Sequence, residues 1–274
     1  MSYQPLAAGG AAESICTYDG SNLPFRGPQR VLDAPYTACI GSTETFGRFV
    51  DRPFPSVLES RLGSNCINLG SMFCGVEAMS QDAGLLTMAN AAKLCVLQLP
   101  GVLEQSNPFY RVHPRRNDRF LCPTPEMVAL YPEVDFTDVH FVRHLASRLQ
   151  SYQDARFDIV ADALCESWVT KIRAFLGLVK TPVIVLWLKL QSDTSTLNGH
   201  AEADPIRIDA SMANMLRPFC AELVSLPVRL SGNSDELEDM LFGTLQQPIA
   251  ERMIGPATHR RIADVLAKAV QDLQ

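Results

Sequence analysis

Side chains that together carry out acyl transfer stand at two distant points of the sequence. Ser42 and Thr43, here called the hydroxyl pair, follow Gly41 directly, and His259 lies near the C-terminus. A hydroxyl is a poor nucleophile until a neighbouring base takes its proton, and an imidazole is the commonest such base. The sequence therefore predicts that Ser42 or Thr43 attacks an acyl carbon while His259 accepts the proton.

The oxyanion formed in such a reaction needs hydrogen-bond donors that are already in place. We predict three donors: the backbone N–H of the nucleophile, the backbone N–H of Gly70 and the side-chain amide of Asn107. An acid should also orient the imidazole. Glu44 and Asp204 are the candidates for that acid. Each of these features also has a structural interpretation, since the hydroxyls suit a helix N-cap and the glycine suits a turn.

A second group of candidates is basic. Within nine residues of an acidic protein the sequence places Arg111, His113, Arg115, Arg116 and Arg119. Arginine forks bind carboxylate, sulfate and phosphate through two parallel hydrogen bonds. This segment predicts a site for an anionic group of a substrate or lipid headgroup. The alternative is that these side chains form ion pairs with acidic residues of the same chain.

Metal and redox chemistry have little support in the sequence. His140 and His144 have the i, i+4 spacing of two ligands on a helix, but no Glu follows His140 as a HExxH site requires. An ordinary amphipathic helix explains them better. The eight cysteines include no CxxC pair, which favours buried free thiols in a reducing compartment. We expect no cofactor and no metal.

The elements that must position these residues follow a repeating pattern. Short apolar runs, typical of buried strands, occupy residues 36–40, 66–69, 94–99, 182–188 and 205–208. Helical patterns occupy residues 55–62, 79–92, 211–219 and 257–273, together with two helices between 137 and 178. Apolar strands alternating with helices predict a three-layer α/β sandwich with a mostly parallel central sheet. The first strand should end at Gly41, between the second and third.

We predict an irregular N-terminal lead-in over residues 1–34 and a single α/β domain over residues 35–274. A proline-rich segment at about 101–136 interrupts the pattern and reads as a long insertion loop, a kind of loop that is often functional. In parallel sheets ligands bind at the carboxyl ends of the strands. The hydroxyl pair, Gly70 and Asn107 all follow predicted strands, so they should converge there.

The composition agrees with a globular protein and excludes several classes. Of 274 residues, 47% are hydrophobic and 20% charged, and the formal net charge is −6. A nucleic-acid-binding protein is usually basic, so we expect none to be bound. No apolar run is long enough to span a membrane, and the first 20 residues lack the pattern of a secretory signal. We expect a cytoplasmic protein with a small-molecule substrate, and the oligomeric state stays open.

The motifs, taken in order, resemble the SGNH/GDSL hydrolase superfamily. The G-S-T-E-T-F-G sequence that begins at Gly41 is similar to its G-D-S-x-T-x-G block, with Thr43 in the nucleophile column. Asn68-Leu69-Gly70 resembles the second block, and His259 stands where the family has the His of D-x-x-H. Pro256 occupies the position of the acid, and Asn107 lies six residues past the glycine of the third block. The resemblance implies an SGNH-like sandwich with a serine- or threonine-type esterase site.

The chain as a whole also resembles a family of bacterial proteins without an assigned activity, through its FRGP, HPRRNDRF and GPATH segments. Three functions follow from these patterns. The first is an ester hydrolase or acyltransferase acting on a small, anionic or carbohydrate-like substrate. The second is an inactive SGNH-like protein that binds an anionic ligand or a protein partner. The third is a sulfate or phosphate group transferase, although no Walker-like GKS or GKT sequence occurs.

Overall fold

A computed structural model describes residues 14–152, 155–191 and 205–273. Its strands are β1 (Ile15–Cys16), β2 (Phe25–Arg26), β3 (Thr37–Gly41), β4 (Cys66–Gly70), β5 (Leu94–Gln98), β6 (Tyr110–Val112), β7 (Phe120–Pro123), β8 (Val183–Leu190) and β9 (Glu222–Val228). Its α-helices are α1 (Thr43–Phe46), α2 (Phe54–Leu62), α3 (Val76–Gln81), α4 (Ala83–Ala91), α5 (Pro125–Leu130), α6 (Val142–Gln150), α7 (Ala155–Leu178), α8 (Ala210–Asn214), α9 (Gln247–Ala250) and α10 (Pro256–Asp272). Short 3₁₀ helices lie between β9 and α9.

The central sheet has five strands in the order β4-β3-β5-β8-β9, and all neighbours pair in parallel. β3 lies between β4 and β5, with Gly41 opposite Gly70 at the end of the β3–β4 register. The predicted place of the first strand is therefore confirmed. The chain crosses from one side of β3 to the other between β4 and β5, so β3 and β5 flank the topological switch point of the sheet.

Alternation of side chains along the buried strands builds the three layers. In β3, Ala38 and Ile40 face one core, while Cys39 between them faces the other. The first core is closed by α3, α4 and α7, with Trp168 fully buried, and the second by α2 and α10. Runs that are apolar on both faces are what a parallel sheet covered by helices requires. The predicted α/β sandwich is confirmed.

Three predicted elements differ from the structure. The strand predicted at residues 205–208 is wrong: the fifth strand of the sheet is β9. The helix predicted at 79–92 is two helices, since Asp82 ends α3 and its side chain accepts the N–H of Leu85 to cap α4. The helix predicted at 211–219 is α8 followed by a short 3₁₀ turn that contains Pro218.

The segment predicted as an insertion loop, residues 101–136, contains the antiparallel pair β6–β7 and the helix α5. The described part of the predicted lead-in contains a second antiparallel pair, β1–β2. Tyr18, Leu23 and Phe25 of that part are buried in the first core. Neither segment is therefore merely irregular. In the portions of the chain that the structure describes, no helix has the length and apolar character needed to cross a membrane.

Candidate active site

A cleft of about 910 Å³ opens at the carboxyl ends of the central strands. Residues 42–44 line it after β3, residues 98, 99, 101, 102 and 104 contribute around the end of β5, and residues 187–190 and 228 come from the ends of β8 and β9. The cleft therefore lies at the switch point, where parallel α/β sheets bind their ligands. The fold brings the hydroxyl pair to this cleft.

The two hydroxyls differ in their surroundings. Ser42 is the N-cap residue of α1, yet within the described chain its side chain makes no capping hydrogen bond. Thr43 Oγ1 accepts the backbone N–H of Phe73 at 3.1 Å. The Ser42 side chain is therefore not used to hold α1, whereas the Thr43 oxygen already has a donor.

Gln98 fixes the turn that carries the hydroxyl pair, and the sequence reasoning missed it. Its side chain is buried at the end of β5. Its Oε1 accepts the N–H of Ser42 at 2.9 Å and the Oγ1–H of Thr45 at 3.3 Å, and its Nε2 donates to the Leu99 carbonyl at 2.6 Å. The signal available in the sequence was one polar residue at the end of an otherwise apolar strand.

His259 lies in the first turns of α10, 1% exposed, and stacks on the ring of Phe54. Its Nδ1 accepts the backbone N–H of Phe54 at 3.0 Å. Burial, aided by the positive charge of Arg26, lowers the pKa of His259 to about 3. The imidazole is therefore neutral near pH 7, and because Nδ1 accepts a hydrogen bond, the proton is on Nε2.

This tautomer is the reverse of the one in a Ser-His-Asp site, where Nδ1 carries the proton and Nε2 receives the proton of the nucleophile. Thr43, Glu44 and His259 line one small cavity, and Ser42 is not among its described lining residues, so an approach of His259 to the Ser42 hydroxyl stays a prediction. The remaining ring nitrogen of His259, however, is a donor in this arrangement.

The carboxylate that contacts the start of α10 belongs to Glu236, which lies outside that helix. Pro256 is the first residue of the helix, and Glu236 accepts both the N–H of Thr258 at 2.8 Å and its Oγ1–H at 2.6 Å. Glu236 thus caps the helix through Thr258. Of the two acids considered from the sequence, Glu44 lines the cleft, and Asp204 lies outside the described residues.

The predicted oxyanion donors Gly70 and Asn107 are engaged in internal hydrogen bonds. The N–H of Gly70 donates to Asn68 Oδ1 at 2.9 Å, and a Cβ on Gly70 would lie 2.2 Å from the backbone nitrogen of Phe46. The Asn107 amide donates to the Gln105 carbonyl, and its Oδ1 accepts two backbone N–H groups of the following turn. Neither residue is among the described residues that line the cleft.

The predicted basic segment reaches the cleft through one arginine. Arg116 lines the cleft, forms an ion pair with Asp118 at 3.0 Å and lies over the ring of Phe73 at 4.4 Å. Asn117, fully buried between these two, accepts the N–H groups of Gly75 and Ala78 and donates to the carbonyl of His113. The segment is therefore anchored to the start of α3.

The other basic residues of that segment lie outside the described lining of the cleft. Arg111 donates to the carbonyls of Asn107 and Tyr110. His113 Nδ1 accepts the N–H groups of Arg115 and Arg116, Arg119 lies over the ring of Phe141, and Arg115 is exposed. These contacts are with backbone groups and an aromatic ring and not with the acidic side chains of the alternative, so anion binding by these residues stays a prediction.

Except for Glu44 and Arg116, the charged residues that line the cleft were not singled out from the sequence. Its additional basic side chains are Arg143, Lys189, Arg207 and Arg252. Its acidic side chains are Glu44, Glu104 and Asp118. His144, interpreted from the sequence as part of an ordinary helix, and Trp187, interpreted as a core or interface aromatic, also line it. Among the described residues no group of His, Cys, Asp and Glu is arranged to hold a metal ion.

Several solved structures are similar to this chain at low identity. A lipase from a goat rumen metagenome has a TM-score of 0.43 and 8% identity, with 86% of this chain and 97% of the lipase covered. Protein YXIM of Bacillus subtilis has a TM-score of 0.43 and 12% identity over 87% of this chain and 57% of its own. A gut microbial diltiazem-metabolizing enzyme has a TM-score of 0.37 and 12% identity over 88% of this chain and 48% of its own.

A search of curated proteins found no match to this chain. One family model, described as Domain of unknown function (DUF6473), matches residues 1–274. The match extends over the lead-in, the sheet and the last helix alike. The chain therefore belongs to the DUF6473 family.

Proposed function

We propose that the protein is an SGNH-like ester hydrolase or acyltransferase whose nucleophile is the Ser42 hydroxyl. The observation that carries the proposal is the position of the hydroxyl pair, which lines a cleft of about 910 Å³ at the carboxyl end of β3. This is the place where a doubly wound sheet gathers its functional loops. Ser42 is preferred over Thr43 because the Thr43 oxygen already accepts the N–H of Phe73.

The oxyanion would be held by the backbone N–H of Thr43. This group belongs to the first turn of α1, where an N–H has no acceptor within the helix. The N–H of Ser42 itself is already donated to Gln98 Oε1. Gln98 is thus a positioning residue, since it fixes the turn without touching the reacting atoms.

Proton transfer from Ser42 to His259 is the slow step of this chemistry. His259 can receive the Ser42 proton only after its own proton moves from Nε2 and the hydrogen bond from the Phe54 N–H is given up. In a related triad, a wrongly held histidine tautomer costs about 10⁴ in turnover. We expect correspondingly slow hydrolysis of simple esters. Glu44, which lines the small cavity together with His259, would act as the orienting acid once Nδ1 carries the proton.

The test compares hydrolysis of short p-nitrophenyl esters by wild type, Ser42→Ala, Thr43→Ala and His259→Ala. Ser56→Ala is the matched control, because Ser56 is an exposed serine of α2 away from the cleft. We expect Ser42→Ala and His259→Ala to lose the activity, and Ser56→Ala to keep it. Equal rates for wild type and these variants would overturn the proposal.

A second function, ligand binding without catalysis, has its own support. The ring nitrogen Nδ1 of His259, the N–H of Gly70 and the amide of Asn107 are all engaged in internal hydrogen bonds. A former active site whose parts have taken structural roles would have this arrangement. It predicts ligand binding in the cleft together with ester hydrolysis that none of the substitutions changes.

A further inference from the structure

Large apolar side chains line the cleft at the carboxyl ends of β8 and β9 and where the chain returns towards α8. They are Trp187, Leu190, Ile206, Ile208, Val228 and Leu230, here called the β8–β9 wall. The wall includes both faces of the strands, since Trp187, Ile206 and Ile208 pack with the first core and Val228 packs with the second. Along β8 the side chains pass from fully buried at Leu186 to 38% exposed at Leu190. A strand that carries large apolar side chains out of the core and into a cleft provides a surface for an apolar ligand.

The remaining lining is charged, and its balance is positive. Five basic side chains reach the cleft against three acidic ones: Arg116, Arg143, Lys189, Arg207 and Arg252 against Glu44, Glu104 and Asp118. This excess stands out in a protein with a formal net charge of −6. Arg116 belongs to the basic segment and Arg143 to the start of α6, and these two segments are neighbours, since the N–H of Val142 donates to the Asp118 carbonyl. Guanidinium groups in a confined cleft favour an anionic group of the ligand.

We infer that the ligand of this cleft is an anionic amphiphile, with an apolar chain against the β8–β9 wall and a negatively charged group near Arg143 and Arg116. As the substrate class of the reaction proposed above, it rests on the proposed function. The size of the cleft fits this class, because about 910 Å³ is near the upper end of the ~300–1,000 Å³ usual for ligand pockets. A small carbohydrate-like substrate would leave the apolar wall uncovered.

Binding is tested separately from turnover, in the Ser42→Ala variant. The probes are hexyl, octyl and decyl phosphate below their micelle concentrations. Inorganic phosphate, which has only the anionic group, and 1-octanol, which has only the alkyl chain, are the comparison probes. Calorimetry measures affinity, and the fluorescence of Trp187 reports contact with the wall, since the other tryptophan, Trp168, is fully buried. We expect the affinity to rise by up to ~4-fold for each added methylene, the gain from burying one such group.

One substitution tests the apolar wall and another tests the basic side chains. Leu190→Ser should flatten the dependence on chain length, and Leu178→Ser, at an exposed leucine at the end of α7, should leave it unchanged. Arg143→Ala should weaken octyl phosphate about tenfold without changing 1-octanol, as expected for the loss of a charged hydrogen bond. Arg61→Ala, which removes an exposed arginine of α2 paired with Asp264, should change neither. Thermal melting confirms that each variant is folded.

Affinity independent of chain length, or equal for octyl phosphate and 1-octanol, would overturn the inference. Binding to anionic vesicles without binding of monomeric alkyl phosphates would also overturn it, in favour of surface attachment. The two proposals fail separately. Chain-length-dependent binding with ester hydrolysis unchanged in Ser42→Ala contradicts the catalytic proposal alone. Ser42-dependent hydrolysis of short esters without any effect of chain length contradicts this inference alone.

Discussion

Acidification should destabilise the protein through His259. In the folded protein its pKa is about 3, because the ring is buried, whereas an unfolded chain has a histidine pKa of about 6.5. The unfolded state therefore binds a proton first as the pH falls. The stability that comes from the neutral ring is complete above about pH 6.5 and is lost progressively towards pH 3. Between about pH 7.5 and pH 4.5 the loss amounts to about 3 kcal/mol, at ~1.4 kcal/mol for each pH unit below 6.5.

Urea unfolding at these two pH values measures the effect, with wild type compared to His259→Asn and His259→Phe. Both substitutions remove the titrating ring. Acidification should therefore lower the free energy of unfolding of wild type by about 3 kcal/mol more than that of either variant. At the higher pH, His259→Phe should cost about 1–3 kcal/mol, because the N–H of Phe54 is left buried without its acceptor. Asparagine offers a side-chain oxygen to that N–H, so His259→Asn should cost less.

The same fall in stability for wild type and both variants would refute this reasoning. It would mean that the ring is protonated or hydrated in the folded protein near pH 5. The assignment of the Nε2 proton would then fail, and with it the expectation of slow turnover.

Three further outcomes follow from buried contacts. Gly70→Ala should lower the free energy of unfolding by about 1–3 kcal/mol, since its Cβ would meet the backbone of Phe46 at 2.2 Å. The control Gly177→Ala lies in α7, where no described atom is within 4 Å of the added Cβ, and should raise the free energy of unfolding by about 1 kcal/mol. Asn117→Ala should cost about 1–3 kcal/mol for each backbone group it leaves without a partner, and hydrogen exchange should quicken at the start of α3. Burial raises the pKa of the thiols of Cys39, Cys66, Cys74 and Cys95. Ellman's reagent should therefore label Cys122, the exposed cysteine, rapidly in the native protein, and Cys122→Ser should remove that rapid reaction.

The sheet could be read from the sequence where its strands are apolar on both faces. β3, β5 and the first half of β8 are continuous apolar runs bounded by turn residues, which is the pattern of a buried parallel strand. β9 was missed because it alternates buried with exposed residues and contains Pro227. Proline is tolerated there because β9 is an edge strand. The four residues at 205–208, Pro-Ile-Arg-Ile, are too few to show a period.

The candidate site could be predicted only in part. The hydroxyl pair follows a recognisable strand, so its place at the carboxyl end of the sheet came from local sequence. The partner of His259 is the N–H of Phe54, 205 residues away, and no local pattern specifies such a contact. Likewise, Trp187 and Arg143 line the same cleft although β8 and α6 are separate in the sequence, and no local pattern indicates that they do.

The most direct test of the account is covalent labelling with a fluorophosphonate, which reacts with activated hydroxyls. The oxygen of Ser42 would bond to phosphorus, fluoride would leave, and the hydroxyl proton would pass to the base. Mass spectrometry of the digested protein should find the adduct on Ser42 in wild type and in Ser56→Ala, and should find it absent from Ser42→Ala. An adduct at another residue, or a folded protein that is not labelled at Ser42, would contradict the claim that this hydroxyl is the nucleophile.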